Sequence, residues 1–233
     1  MTKSITFKDE PQLFEVESTY FPDSKSQEIL EEGWKNAIKF MNNKNHKFYN
    51  GNLLRFESIS KNKIRFSRGI TFKDVVGIRN TKSDLYELSK NSLPISITSM
   101  GLIIHNKKII LRNRNDGDWK KYIEISRGFL RETDNSLKES VYNRLNEDFK
   151  LEKNDFKSIV YYKLFFFPEI CETISVYILE IKDEALNRIK KEFNIKKVNK
   201  FEEIVNEVKK VHPPSYEIVK QYFLENDRLS ENN

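Results

Sequence analysis

Residues 128–151 read GFLRETDNSLKESVYNRLNEDFKL: a loop that opens on glycine and feeds an amphipathic helix. A strand-like run, WKKYIEIS, precedes it at 119–126, and Gly128 is the only glycine beyond Gly117. The helix ends on adjacent carboxylates, Glu147 and Asp148. Strand, glycine loop, helix and paired acids together form a common way to hold Mg²⁺ against a diphosphate.

On a helix, positions 144, 147 and 148 stand at i, i+3 and i+4 and share one face. Glu147 and Asp148 can supply oxygens to a hard cation such as Mg²⁺. The third position on that face is Arg144, which can donate to either carboxylate instead. By residue chemistry alone, a solvated face with an Arg–carboxylate pair is favoured over a metal site that needs excess negative charge. In the loop, Gly128 can take a backbone conformation that other residues avoid. Arg127 and Arg131 beside it could meet phosphate oxygens bidentately, or could simply face solvent.

Outward from this segment, the whole chain has 233 residues, enough for one large domain or two small ones. At 38% hydrophobic and 33% charged residues it has the composition of an ordinary globular protein. No apolar run approaches the roughly 18 to 20 residues that span a bilayer, and YYKLFFF at 161–167 is far shorter. The N-terminus, MTKSITFKDE, lacks a signal core and an Arg-rich transit pattern, so a cytoplasmic location and no membrane partner are expected. A single cysteine, Cys171, excludes an intramolecular disulfide framework, and with three scattered histidines it makes no zinc site. Lacking a partner histidine in recognisable context, Cys171 reads as structural rather than nucleophilic. A net charge of +6 permits an anionic partner without requiring one. The densest basic clusters, KNKIRFSR (61–68) and KKEFNIKKVNK (190–200), are interleaved with apolar residues. They read first as solvated faces and second as attraction for a phosphate-bearing ligand. No nucleic-acid signature accompanies them, which weighs against a basic nucleic-acid-binding protein.

In chain order, residues 4–21 suggest two short strands separated by Pro11. SKSQEILEEGWKNAIKFMNN (24–43) has a helix signature with Ser24 or Ser26 as cap, although Gly33 sits inside it. Asn50-Gly51 marks a turn, and 46–73 read as antiparallel strands. DVVGIRN and SDLYELSKN are short helical or irregular connectors. PISITSMGLIIH and KKIILRNR form a hairpin about Asn106-Lys107, followed by a polar turn, NDGDW. SIVYYKLFFF and ETISVYILEIK are two more strands, rich in aromatic and β-branched residues. DEALNRIKKEF, FEEIVNEVKK and PSYEIVKQYFLEN are helices, the last opened by Pro213-Pro214. The expected layout is an N-terminal α+β portion over 1–92, then a mixed sheet with one central helix and C-terminal helices over 93–233.

Over residues 94–182 the chain resembles the Nudix hydrolase superfamily. That family pairs a Gly-Gly loop with a downstream Glu and the box Arg-Glu-hydrophobic-any-Glu-Glu-any-Gly-hydrophobic. Here the segment is ISRGFLRETDNSLKESVYNRLNEDFKL (125–151), with one extra residue between Gly128 and Glu132. Gly128 matches the second loop glycine and Arg127 replaces the first. Asn135 stands for the upstream Glu, Asn143 for the box Arg, Arg144 for the first acidic ligand and Lys150 for the Gly. Leu145, Glu147, Asp148 and Leu151 fit. The hairpin ITSMGLIIHNKKIILRNR also resembles the family's opening strands. More loosely, Trp34, the Tyr49-Asn50-Gly51 turn and the strand pair after it are similar to the UDP-sugar-cleaving branch. An ordinary helix with a hairpin is an equal reading of those residues.

The resemblance implies an α+β, Nudix-like α/β/α sandwich with a mixed sheet, preceded by an N-terminal α+β extension. It implies Glu147 and Asp148 as catalytic metal ligands for Mg²⁺; by their own chemistry, Arg127, Gly128, Arg131 and Arg144 are the candidate substrate-binding group. Arg144 weakens that metal site. The reading is therefore a diverged protein that binds a nucleotide or nucleotide sugar with hydrolysis weak or lost. The alternative is an active Mg²⁺-dependent hydrolase of UDP-sugar-like diphosphates, with Glu132, Glu139, Glu169 or Glu172 compensating. Glu139 is the least suited, lying two helical turns, about 12 Å, from Glu147. Glu169 and Glu172 read as surface acids in a loop. Nudix-like proteins are often dimers, so the resemblance also implies a homodimer.

Overall fold

In the computed structural model, residues 3–42, 50–83, 85, 88–113 and 122–231 are described. The N-terminal elements are β1 (Lys3–Ile5), β2 (Gln12–Thr19), α1 (Ser24–Asn42), β3 (Asn52–Ser60), β4 (Lys63–Thr71) and α2 (Phe72–Asn80). Next come β5 (Ser96–His105), β6 (Lys108–Asn113), β7 (Ile123–Glu124), β8 (Ser126–Phe129) and α3 (Leu137–Phe149). The chain closes with β9 (Phe156–Phe167), β10 (Glu172–Ile181), α4 (Asp183–Glu192), β11 (Ile195–Val198), α5 (Glu202–Val205) and α6 (Pro213–Glu231). From β5 to β10 this is the order that the resemblance implies: hairpin, strand, loop, helix, two strands. The chain divides into two compact units. The first holds Met1–Ser99, Gly128–Val141 and Tyr161–Val176, so it takes all of residues 1–92 and three later pieces; the second holds Met100–Arg127, Tyr142–Val160 and Tyr177–Asn233.

The strands lie in the order β1-β9-β10-β5-β3-β4-β2, of which β1, β2, β3 and β4 and part of each of β5, β9 and β10 belong to the first unit. The sheet is mixed: β2 runs parallel to β4, whereas β3–β4 and β1–β9 are antiparallel. Strand β5 is buried along its whole length, as a strand covered on both faces must be. Helix α1 starts where Asp23 accepts the Ser26 N–H at 2.8 Å. Asp23 is thus the cap, in place of Ser24 or Ser26, because its carboxylate reaches an N–H that the first turn leaves unpaired. The 74–80 connector is part of a nine-residue helix, α2, opened by a reciprocal capping box. The Asp74 N–H donates to Thr71 Oγ1 at 3.4 Å, and the Thr71 N–H donates to Asp74 Oδ2 at 2.7 Å. Replacing Thr71 with Ala should cost about 1 kcal/mol in thermal or denaturant unfolding; an unchanged midpoint would show that packing alone sets this helix start.

Helices α1 and α2 meet glycine to glycine. A Cβ at Gly33 would lie 1.9 Å from the Gly77 carbonyl oxygen, and one at Gly77 would lie 2.4 Å from the Leu30 oxygen. The glycine that weakens the helical pattern of α1 is what lets α2 approach. Beneath them Leu30, Leu53, Ile70, Val75 and Ile78 form a buried cluster, and Ala37 and Val76 pack with Trp34 and Phe72.

In the second unit β6 is central, pairing with β5, β7 and β11. The β5–β6 turn has positive φ at both Asn106 (48°) and Lys107 (62°), as a type I′ hairpin turn requires. Strand β11 comes from a segment read only as a basic cluster. Its lysines alternate too little to announce a strand, and β6 supplies the pairing. FEEIVNEVKK is less helical than expected, with α5 only four residues long and a 3₁₀ turn at Val208–Lys210. Helix α6 does open at Pro213. The expected NDGDW turn, the first three residues of WKKYIEIS (119–121), and Tyr49 lie outside the described residues. Among the described residues, no helix is long and apolar enough to cross a membrane.

Candidate functional site

Leu137, Val141, Leu145 and Phe149 repeat every four residues along α3 and are each about 1% exposed, so the helix carries one buried apolar stripe. That stripe leaves Arg144, Glu147 and Asp148 together on an adjoining face. Arg144 Nη1 pairs with Glu147 Oε2 at 3.1 Å, and Nη2 pairs with Asp148 Oδ1 at 3.0 Å. The i, i+3, i+4 spacing is therefore filled by ion pairs within one helix.

Two strands complete the cluster. The β6–β7 register sets Arg112 opposite Glu124. The Arg112 guanidinium holds Asp148 Oδ1 at 2.6 Å and Glu124 Oε1 at 3.0 Å. Ser126, which opens β8, donates its hydroxyl to Asp148 Oδ2 at 2.7 Å. Both Asp148 oxygens are thus occupied: one lies between two guanidiniums and the other accepts a hydroxyl. The Asp148 side chain is only 4% exposed. Burial holds its carboxyl above the ordinary aspartate range, and Glu124 adds to that, against the pull of Arg144, Arg112 and Ser126. Three carboxylates are thus shared between two arginines, with Asp148 at the buried centre and Glu147 at the exposed edge. Among the described residues, no group of three or more His, Cys, Asp or Glu is placed to hold a metal ion. One donor is left over, since Arg144 Nε is buried without a hydrogen-bond partner.

The remaining residues of the expected site divide between the two units. Arg127 is half-buried and follows Ser126 on β8, in the second unit. Gly128 and Arg131 belong to the first. Gly128 is not in the left-handed region and simply continues β8. The turn comes later and is made by Asp134, whose Oδ2 accepts the Arg131 N–H at 2.9 Å. A side-chain acceptor here does what a glycine conformation was expected to do. Arg131 itself is exposed.

The acids considered as replacements each have structural partners or lie on the surface. Glu139 closes the N-terminus of α3: its N–H donates to Ser136 Oγ and its carboxylate accepts the Asn135 N–H. Glu132 accepts from Asn52 Nδ2 at 3.1 Å. Glu169 is exposed in the 3₁₀ turn Pro168–Ile170. Glu172 is not the surface acid that its loop position suggested. It opens β10 at 1% exposure, pairs with Arg79 at 2.8 Å and accepts the Thr98 hydroxyl. Cys171 is buried and its thiol is pushed up to about 11 by that burial, which opposes a nucleophilic role. In the N-terminal part, Asn50 and Gly51 tie the start of β3 to α2: Asn50 Oδ1 accepts the Lys73 N–H and the Gly51 carbonyl accepts the Phe72 N–H.

Arg112, Glu124 and Ser126 were not among the expected site residues. Their signal was present as polar residues inside apolar strand runs, ILRN and YIEIS, where an unpartnered charge would be costly.

No protein-family model and no curated protein matches the chain. Solved structures do. One is a bifunctional NMN adenylyltransferase/ADP ribose pyrophosphatase from Francisella tularensis, complexed with AMP and a Mn ion. It is 17% identical with a TM-score of 0.43, over 57% of this chain and 42% of that one. A mutT/nudix family protein from Listeria innocua is 14% identical with a TM-score of 0.45, over 59% of this chain and 98% of its own. NrtR from Shewanella oneidensis, complexed with a 27mer DNA, is 14% identical with a TM-score of 0.39, over 58% of this chain and 62% of its own. The chain thus spans less than half of the first of these proteins and under two thirds of the third.

Proposed function

We propose that this chain is a diverged Nudix-like protein that binds a nucleoside diphosphate-linked ligand of the nucleotide-sugar type, with Mg²⁺-dependent hydrolysis weak or lost. The observation that carries the reading is Arg144. It stands at the first acidic position of the family's pattern and pairs both carboxylates that the pattern retains. Arg112 doubles the positive charge on Asp148. A cation entering there would have to displace a guanidinium already in hydrogen-bond contact with the ligand oxygens. Phosphate binding would draw on the same two guanidiniums, whose donors suit phosphate oxygens, in exchange for one of the three carboxylates they now hold. Glu147, 42% exposed, is the one box carboxylate that a metal could still reach; with it alone, Mg²⁺ would depend on water and substrate phosphates for its other ligands.

Two measurements test this. Incubating the protein with Mg²⁺ or Mn²⁺ and a panel of nucleoside diphosphate sugars should release no nucleoside monophosphate above background, while calorimetry detects binding of at least one member. Turnover that disappears in Glu147→Gln would overturn the reading in favour of the hydrolase. Separately, Arg144→Glu removes the blocking cation and adds a carboxylate. Mg²⁺ affinity by calorimetry should rise at least about tenfold, and an unchanged affinity would disconnect this face from metal binding.

A further inference from the structure

The basic run KKEFNIKKVNK (190–200) lies in the second unit and takes no part in the nucleotide reading. The strands around it fix which of its charges meet. His105 stands opposite Lys108 in the β5–β6 register, and Lys197 stands opposite Ile110 in the β6–β11 register. Residues opposite one another, and those two apart on one strand, project from the same face of a sheet. His105, Lys108 and Lys197 therefore share one face. Helix α4 is pinned to that face at its start, where Asp183 Oδ1 meets His105 Nε2 at 2.7 Å. Two strand spacings, about 9.5 Å, separate β5 from β11, and the rise along α4 from Asp183 to Lys190 is about 10.5 Å. The helix thus carries Lys190 across to Lys197, and the two amines lie at hydrogen-bond distance.

That contact lacks an acceptor. An ammonium has three donors and no lone pair, so two of them this close repel unless one gives up its proton or an anion joins them. Lys190, then burial and the Lys108 charge, pull the Lys197 ammonium down to about 8. The acids of neighbouring segments are engaged elsewhere. Lys196, on the opposite face of β11, holds Glu207 at 2.5 Å. Asn199 donates to Glu203, and Asp183 is taken by His105. Three and four residues before Lys190 stand Asn187 and Leu186, so α4 places no acid there. Glu192 lies two residues on, round the helix, and acts on Arg188. Lys108 and Lys190 are exposed and Lys197 is half-buried, so a dissolved anion can reach all three.

From this juxtaposition we infer that Lys108, Lys190 and Lys197 form a binding site for a terminal phosphate group, free or carried by a small molecule. Such a group brings about two negative charges and three acceptor oxygens at neutral pH, one oxygen for each ammonium. A carboxylate or an internal phosphodiester brings one charge and two free oxygens, which leaves one ammonium unmatched. A nucleotide sugar has no terminal phosphate, so the inference does not rest on the Arg144 reading.

Methyl phosphate is the probe and dimethyl phosphate the comparison, each titrated into the ¹⁵N-labelled full chain at fixed ionic strength and followed by amide NMR shifts. Methyl phosphate should bind with a Kd on the order of 1 mM and move the amides around Lys108, Lys190 and Lys197. Dimethyl phosphate should bind at least about fivefold more weakly. Lys197→Met should lose about tenfold in affinity for methyl phosphate. It should melt no lower than the parent, because it removes a like-charge contact. Lys190→Met should lose about fivefold. No saturable shift by about 20 mM would overturn the inference, as would equal affinities for the two probes or affinities unchanged in both variants. Shifts confined to α3 would assign the anion to Arg144 and strike this site. Tighter binding of an oligonucleotide without terminal phosphates would reassign the cluster to a nucleic-acid backbone and overturn it as well. A negative result at the lysines leaves the nucleotide proposal intact, because that rests on Arg144 and its partners.

Discussion

Replacing Gly33 with Ala should destabilise the protein by about 3 kcal/mol or more. For a chain of this size the melting temperature should fall by roughly 10 °C. The sign is the informative part. In an exposed helix interior the same change is favourable by about 1 kcal/mol, because alanine is the better helix former. Here the added Cβ would lie 1.9 Å from the Gly77 oxygen, 2.8 Å from its carbonyl carbon and 2.9 Å from the Thr81 nitrogen, all of them backbone atoms. No side-chain rotation relieves a clash with backbone, so α1 must lift from α2. That loosens the cluster containing Leu30, Val75 and Ile78. Gly69→Ala is the control. Gly69 has φ +101° but its nearest neighbour would be 3.7 Å away, so it should cost only the conformational strain, about 1 to 2 kcal/mol. A neutral or stabilising Gly33→Ala in a thermal melt would mean that the two helices do not touch as described.

Glu172→Gln should cost about 3 to 5 kcal/mol in denaturant unfolding. The Glu172 side chain is 0% exposed and its Arg79 partner 16% exposed. Arg79 is held in place by more than the charge. Its Nε donates to the Ile170 carbonyl at 3.0 Å, and its guanidinium lies 5.2 Å from the Phe129 ring centroid. Neutralising the acid would leave that guanidinium in a shielded site with its charge uncompensated, and would weaken the link between α2 and the start of β10. The double variant Arg79→Met with Glu172→Leu should recover most of the loss, because breaking a buried pair is worse than replacing both partners by apolar groups. Equal losses in the single and double variants would mean that packing at Glu172, rather than charge, holds the region together.

The buried Glu172 shows where reading the chain residue by residue falls short. A glutamate after a proline-containing turn has the local pattern of a surface acid. Only the arrival of Arg79 and Thr98, 93 and 74 residues away, makes burial tolerable. Gly128 errs in the other direction. Its place before a polar loop suggested a special conformation, yet Asp134 makes the turn through its side chain. Gly33 interrupts a helical pattern locally, and its reason lies in α2, whose Gly77 packs against it.

What the sequence determined by itself follows from short-range periodicity. The four-residue apolar spacing of α3, the Asn106-Lys107 turn, the proline start of α6 and the common face of Arg144, Glu147 and Asp148 all depend on neighbours within about one or two turns. That range also covers the change of chemistry at position 144, where an arginine beside two acids had already made ion pairing the favoured reading. The tertiary structure alone decided which distant groups close each charge: Arg112, Glu124 and Ser126 on Asp148, and Arg79 with Thr98 on Glu172. It alone brought Lys108, Lys190 and Lys197 together from three elements. Strand register and helix contact set these pairings, and both depend on how the chain packs across long separations, which no local pattern encodes.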